Sequence, residues 1–117
     1  ARYSDWVDRY VAAWNSNDPA EIADLFTDDA RYFDTPIDEP WVGKNEIVKE
    51  WLARKDEPGD AEFSYEIIVA TPDIGILRAE TRYLTTGTDY ANLWEIRLDA
   101  SGACREFVEW YMERKQL

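Results

Sequence analysis

Apolar side chains at Tyr3, Trp6, Val7, Tyr10, Val11 and Trp14 recur in steps of three and four. That spacing is one face of a helix. The polar run Asn15-Ser16-Asn17 ends it. Asp18-Pro19-Ala20-Glu21 predicts a second, short helix, with Asp18 as N-cap, Pro19 at the first position and Glu21 at the third. It buries Ile22, Ala23, Leu25 and Phe26. Thr27-Asp28-Asp29 reads as a turn, and residues 31–34 as a short strand closed by Thr35-Pro36. After Gly43 a third helix sets Ile47, Val48, Trp51 and Leu52 on one side. Beyond it the pattern becomes β. Strands are predicted over residues 61–71, 74–86, 90–99 and 103–112, separated by Thr71-Pro72-Asp73, Gly87-Thr88-Asp89 and Ala100-Ser101-Gly102. Helices first and strands after, with no βαβ alternation, predict an α+β fold. The expectation is one domain over residues 1–117, with three N-terminal helices packed in a curved antiparallel sheet and Trp14, Phe26, Trp51 and Leu98 mostly buried.

Strand alternation sorts the faces. Asn92, Trp94, Ile96 and Leu98 share one side. Ala91, Leu93, Glu95, Arg97 and Asp99 share the other, which reads as an outer surface. On the last strand Phe107, Glu109 and Tyr111 alternate with Glu106, Val108, Trp110 and Met112. Both sets carry aromatics, so the pattern alone leaves the inner face open.

Composition narrows the chemistry. A hydrophobic share of 45% suffices for a genuine core, and six Trp, seven Tyr and four Phe are enough to line a cavity as well. A net charge of −12 repels phosphates and anionic lipid, so neither nucleic acid nor a membrane is an expected partner. No stretch has the length of a membrane span and no signal pattern is visible, which makes the cytoplasm the expected location. The lone cysteine, Cys104, rules out an internal disulfide and reads as a structural residue. The chain has no histidine. Ser-His and Cys-His nucleophiles and His-ligated metals are therefore excluded, and acid–base work falls to Asp, Glu, Tyr, Lys or Cys104. No calcium-loop motif is present, and no metal or organic cofactor is expected.

The run Arg9-Tyr10-Val11-Ala12-Ala13-Trp14-Asn15, Asp18, Ile22, Leu25-Phe26, Asp28-Asp29-Ala30, Asp34, Glu39-Pro40, Gly43, Ile47, Trp51 resembles the front half of the bacterial ketosteroid isomerases. Those enzymes belong to the SnoaL-like, or nuclear transport factor two-like, superfamily. The resemblance implies a cone-shaped, cystatin-like roll. It places Tyr10 on the isomerase's oxyanion-donor tyrosine and Asp34 on its proton-transferring aspartate. It also puts Phe107, Glu109 and Tyr111 toward the pocket. Two positions depart from the pattern. Trp94 stands where the isomerase has a protonated aspartate, a carboxylic acid kept neutral, as second donor, and Trp51 matches a tyrosine that orders the oxyanion hole. Both changes shrink the cavity and argue against steroid isomerisation itself.

The candidate catalytic residues are thus Asp34 and Tyr10. The candidate ligand-binding residues are Trp14, Tyr32, Trp41, Trp51, Tyr83, Asn92, Trp94, Phe107, Glu109 and Tyr111. Each has a plainer alternative. Asp34 could only cap its own turn before Pro36. Tyr10 could be a core aromatic with its hydroxyl satisfied elsewhere. Glu109 could pair with Asp34 across the pocket, or be a solvated rim residue partnered by Arg105 or Arg82. In the enzyme reading, Asp34 moves a proton beside a carbonyl of a small, largely apolar molecule while Tyr10, helped by Trp94 or Asn92, steadies the oxyanion. The alternatives are a non-catalytic ligand-binding or dimeric interaction module, and water activation like that of the limonene-epoxide hydrolases. The last needs an inward arginine between two acids, whereas Arg78, Arg82 and Arg97 have outward parity. A homodimer through the outer face at Leu93, Val108 and Trp110 is the expected assembly.

Overall fold

The computed structural model describes residues 1–114. Helix α1 (Arg2–Ser16) buries Tyr3, Trp6, Val7, Tyr10 and Ala13, the face that the three-and-four spacing predicts. It stops at Asn17, whose left-handed backbone (φ 53°) lets its N–H bond the Ala13 carbonyl. Asparagine tolerates that conformation better than most residues. Helix α2 (Pro19–Asp24) starts as its sequence indicates, with the Asp18 carboxylate accepting from the Ala20 N–H at 2.9 Å. Glu21 bonds the Ser16 hydroxyl at 2.6 Å instead of closing a capping box. Helix α3 (Lys44–Ala53) follows Gly43, whose φ of 91° turns the chain out of a short edge strand.

Six strands make one sheet: β1 (Phe26–Phe33), β2 (Trp41–Val42), β3 (Ala61–Ala70), β4 (Gly75–Tyr83), β5 (Thr88–Leu98) and β6 (Cys104–Glu113), in the order β2-β1-β6-β5-β4-β3. The last four match the predicted runs to within a few residues. Their pairings are antiparallel, but β1 lies parallel to β6. Strand β1 also starts earlier than expected. Thr27, Asp28 and Asp29 belong to it, and they bulge outward between Phe26, opposite Cys104, and Arg31, opposite Glu106. The polar triplet therefore reaches solvent without breaking the strand. Further irregularities at Ile67/Val69 and Arg97/Leu98 bend the sheet around the helices.

The core lies between α1 and the concave side of the sheet. Trp6 is fully buried against Phe26, and its indole N–H donates to the Leu25 carbonyl at 3.0 Å. Phe26, Trp51 and Leu98 are buried as expected, while Trp14 is only partly so. On β5 the even positions face inward, with Trp94, Ile96 and Leu98 all buried. Arg78, Arg82 and Arg97 turn outward, where they pair with Glu66, Asp89 and Glu106. Cys104 is buried and donates to the Glu106 carbonyl; burial pushes its thiol up to about 12, so it is no nucleophile. Among the described residues, no helix is long and apolar enough to cross a membrane.

Candidate functional site

Between α1, the end of α3 and the far half of the sheet lies a cavity of about 350 Å³. Eleven of the twelve candidate residues line it. The exception is Phe107. It points inward but is covered by the rings of Tyr32 at 4.7 Å, Trp94 at 5.0 Å and Tyr10 at 5.6 Å, so it forms the layer beneath the floor and reaches no ligand.

The floor is built around Tyr10 and Tyr32. The helical face aims Tyr10 at the sheet, and the alternation of β1 aims Tyr32 back at it. Their hydroxyls meet at 2.7 Å, and either can donate. If Tyr32 donates, the Tyr10 proton is available to a third oxygen. Burial raises the pKa of both phenols, so both remain neutral donors. The ring of Tyr10 packs against Trp94 at 4.7 Å and Trp51 at 4.8 Å, and Tyr32 stacks on Trp41 at 4.7 Å. These large rings fill the inner end of the cone, which is why the remaining space is modest.

Asp34 follows β1 directly and is half-buried at the cavity wall. Its carboxyl accepts no hydrogen bond from a described residue, so it does not cap its own turn; that turn closes through the backbone, Asp38 N–H to Thr35 carbonyl. Desolvation raises its pKa, opposed by the nearby Arg54 guanidinium and reinforced by Asp38.

Glu109 sits directly opposite Trp94 in the β5–β6 register and faces the cavity. Its Oε2 accepts from Trp94 Nε1 at 2.6 Å and from Asn92 Nδ2 at 3.0 Å, and Thr81 in turn donates to Asn92 Oδ1 at 2.8 Å. Burial pushes the Glu109 carboxyl up to about 7, with the two N–H donors holding it back and Asp34 adding to the rise. The solvated-rim alternative is thereby corrected, since Glu109 forms no ion pair with Arg82 or Arg105. A second correction follows. The single N–H of Trp94 is committed to Glu109 and is not free to assist Tyr10 at an oxyanion, and Asn92 gives Glu109 one of its two amide hydrogens.

Five further residues line the cavity: Arg54, Lys55, Asp56, Thr81 and Tyr90. Asp56 accepts from Trp14 Nε1 at 2.8 Å and from the Tyr83 hydroxyl at 3.2 Å. Arg54 lies over Trp41 and pairs with Glu50. Thr81 and Tyr90 share the inward parity of Tyr83 and Asn92, so alternation could have found them. Arg54, Lys55 and Asp56 leave α3 in irregular backbone, where no periodicity marks a face. Tyr111, near the end of β6, is 48% exposed and marks the mouth.

Residues 7–112 match the SnoaL-like domain. The chain belongs to the SnoaL-like family. Solved structures agree on the fold. An NTF-2 like protein of unknown function from Burkholderia xenovorans LB400 superimposes with a TM-score of 0.77 at 14% identity, covering 99% of this chain and 87% of that one. A ketosteroid isomerase-like protein from Erwinia carotovora atroseptica SCRI1043 gives a TM-score of 0.65 at 20% identity, over 93% and 92% of the two chains. A protein with cystatin-like fold from Methylobium petroleophilum PM1 gives 0.74 at 14% identity, over 98% and 78%. At these identities the likeness concerns the fold alone. No curated protein matches the chain significantly. Within the SnoaL-like frame, the helix–sheet cone and its open mouth place the cavity; the chemistry rests on the side chains that line it.

Proposed function

We propose that this SnoaL-like protein binds a small, largely apolar molecule bearing a carbonyl or hydroxyl, and that it transfers a proton on that molecule without a cofactor. Asp34 is the base and Tyr10 the oxyanion donor. The observation that carries this reading is the pairing, in one aromatic cavity, of a desolvated carboxyl that accepts no hydrogen bond with a neutral phenol pair. In the step, the Asp34 carboxylate takes a proton from the carbon beside the carbonyl. The C–H electron pair becomes the enolate double bond, and the charge that develops on oxygen is met by the Tyr10 hydroxyl, backed by Tyr32. Where the molecule carries a β,γ double bond, the enolate extends to a dienolate, and returning the proton to the γ-carbon shifts that double bond into conjugation and completes an isomerisation. Epoxide-type water activation has less support, because Arg78, Arg82 and Arg97 turn outward and the cavity's Arg54 pairs with Glu50 and hydrogen-bonds neither Asp34 nor Asp56.

The test is exchange of the α-hydrogens of cyclohexanone in heavy water, followed by proton NMR. The native protein should accelerate exchange. Asp34→Asn should slow it by roughly 10²–10⁴-fold, the usual contribution of a general base, without loss of ketone binding. Tyr10→Phe should slow it without unfolding the chain. Binding with equal exchange in native and Asp34→Asn protein would favour the non-catalytic ligand-binding reading. We also propose that two copies pair through the outer face of the sheet, where Trp110 is 48% and Met112 71% exposed beside partly buried Leu93 and Val108.

A further inference from the structure

Three carboxyl groups line the cavity against two cations. Asp34, Asp56 and Glu109 all line it, and none forms an ion pair with a described residue. The hydrogen-bond donors of Asp56 and Glu109 are neutral. Asp56 is held by an indole and a phenol, and Glu109 by an indole and an amide. Of the two cavity cations, Arg54 pairs with Glu50 and lies over Trp41 while its charge acts on Asp34, and Lys55 stands exposed at the rim.

Glu109 is the most telling of the three. Both of its hydrogen bonds fall on Oε2, and no described residue bonds Oε1. One carboxyl oxygen is pinned by the sheet while the other remains open to the cavity. Two neutral N–H groups orient a carboxylate but do not neutralise it. The rings of Trp51, Trp94, Tyr83, Tyr90 and Tyr111 line the same cavity. Aromatic faces attract cations, most strongly when the cation is partly stripped of water. The net charge of −12 adds a long-range field that draws a cation to the mouth.

From this geometry we infer that the ligand carries a protonated amine, its N–H donating to Glu109 Oε1 and its apolar body lying against the aromatic wall. The inference rests on the small-molecule reading of the cavity but not on proton transfer by Asp34. Without such a ligand Glu109 lessens its own desolvation cost by holding a proton near neutral pH. An ammonium ion would take that proton's place. The groups that share the cavity with Glu109 are Tyr10 on α1, Tyr32 and Asp34 on and after β1, Arg54, Lys55 and Asp56 after α3, Tyr83 on β4, Tyr90 on β5 and Tyr111 on β6. Of these, Asp34 is the charged group that pushes Glu109 upward.

The experiment compares two probes of the same shape, cyclohexylmethylammonium and cyclohexylmethanol, by isothermal titration calorimetry on the full chain. At about pH 8 the ammonium should bind about tenfold tighter or more, from a charge-assisted hydrogen bond and cation–π contact. Its advantage should shrink toward about pH 6 as Glu109 keeps its proton, while the alcohol's affinity stays level. Glu109→Gln should bring the two probes to within about threefold of each other. If that variant does not fold, the pH dependence in the native protein decides alone. Alcohol binding as tight as ammonium binding at the higher pH would overturn the inference and leave the small-molecule reading standing. Binding of neither probe would overturn both.

Discussion

The stability of this fold should fall as Glu109 gives up its proton. Burial pushes the folded carboxyl up to about 7 from an ordinary 4.5, because the desolvation penalty on its charge exceeds what the Trp94 and Asn92 N–H donors give back, and Asp34 adds to the rise. Between those two values the folded chain holds a proton that the unfolded chain has lost. Stability therefore decreases as pH rises through this window, and the contribution is fully present only below the unfolded value. The shift corresponds to a loss on the order of 3 kcal/mol at most, less to the extent that water enters the cavity. Glu109→Gln keeps the shape and an oxygen that can accept from Trp94, and it cannot ionise. Asp34 is raised in the same direction, but it remains in both proteins and cancels to first order in the difference. Urea unfolding of both proteins at about pH 5 and about pH 8 checks this. The variant should gain on the native protein by roughly 2–3 kcal/mol between the two conditions. A difference between the two proteins that does not change with pH would refute the buried, desolvated Glu109 described above.

Gly75→Ala should destabilise the fold by about 1–3 kcal/mol, read as a lowered Tm, through overpacking. Its new Cβ would stand 2.3 Å from the ring of buried Tyr3, whose hydroxyl is anchored on the Thr71 carbonyl at 2.6 Å. Tyr10→Phe and Tyr32→Phe should each cost about 1–3 kcal/mol by leaving one buried hydroxyl unpaired, and the double variant should cost less than their sum in a double-mutant cycle. Trp110→Lys should convert a homodimer to monomer in sedimentation equilibrium at concentrations on the order of tens of micromolar; a monomeric native protein there would dismiss the proposed pairing.

Much of this fold is legible because its local signals agree with one another. The α1 face, the left-handed stop at Asn17, the Asp18-Pro19 start and the inward set Asn92, Trp94, Ile96 and Leu98 follow from periodicity and capping alone. The parallel β1–β6 contact does not. It joins residues far apart in sequence, and nothing within β1 encodes the direction of its partner. Thr27-Asp28-Asp29 misleads because three polar residues look like a turn when they are a bulge that stays in the strand. The same limits apply at the site. The resemblance and strand parity bring Tyr10, Asp34 and most of the wall together, yet whether Glu109 faces inward depends on pairing with Trp94 across a hairpin. Arg54, Lys55 and Asp56 enter the cavity from irregular chain, which carries no face to read. Phe107 has the right parity, but the neighbouring aromatic rings cover it, and side-chain parity cannot reveal what lies above a residue.

The central claim, that the cavity is a small-molecule site, is tested most directly by the indole N–H signals of the six tryptophans. Trp14, Trp41, Trp51 and Trp94 line the cavity; Trp6 lies in the core with its N–H on the Leu25 carbonyl, and Trp110 lies on the outer face with its N–H on Glu95. In a nitrogen-15 NMR titration with cyclohexanone, the cavity set should shift and saturate while Trp6 and Trp110 hold still. Shifts that do not saturate, or that are as large at Trp110 as at Trp94, would contradict it.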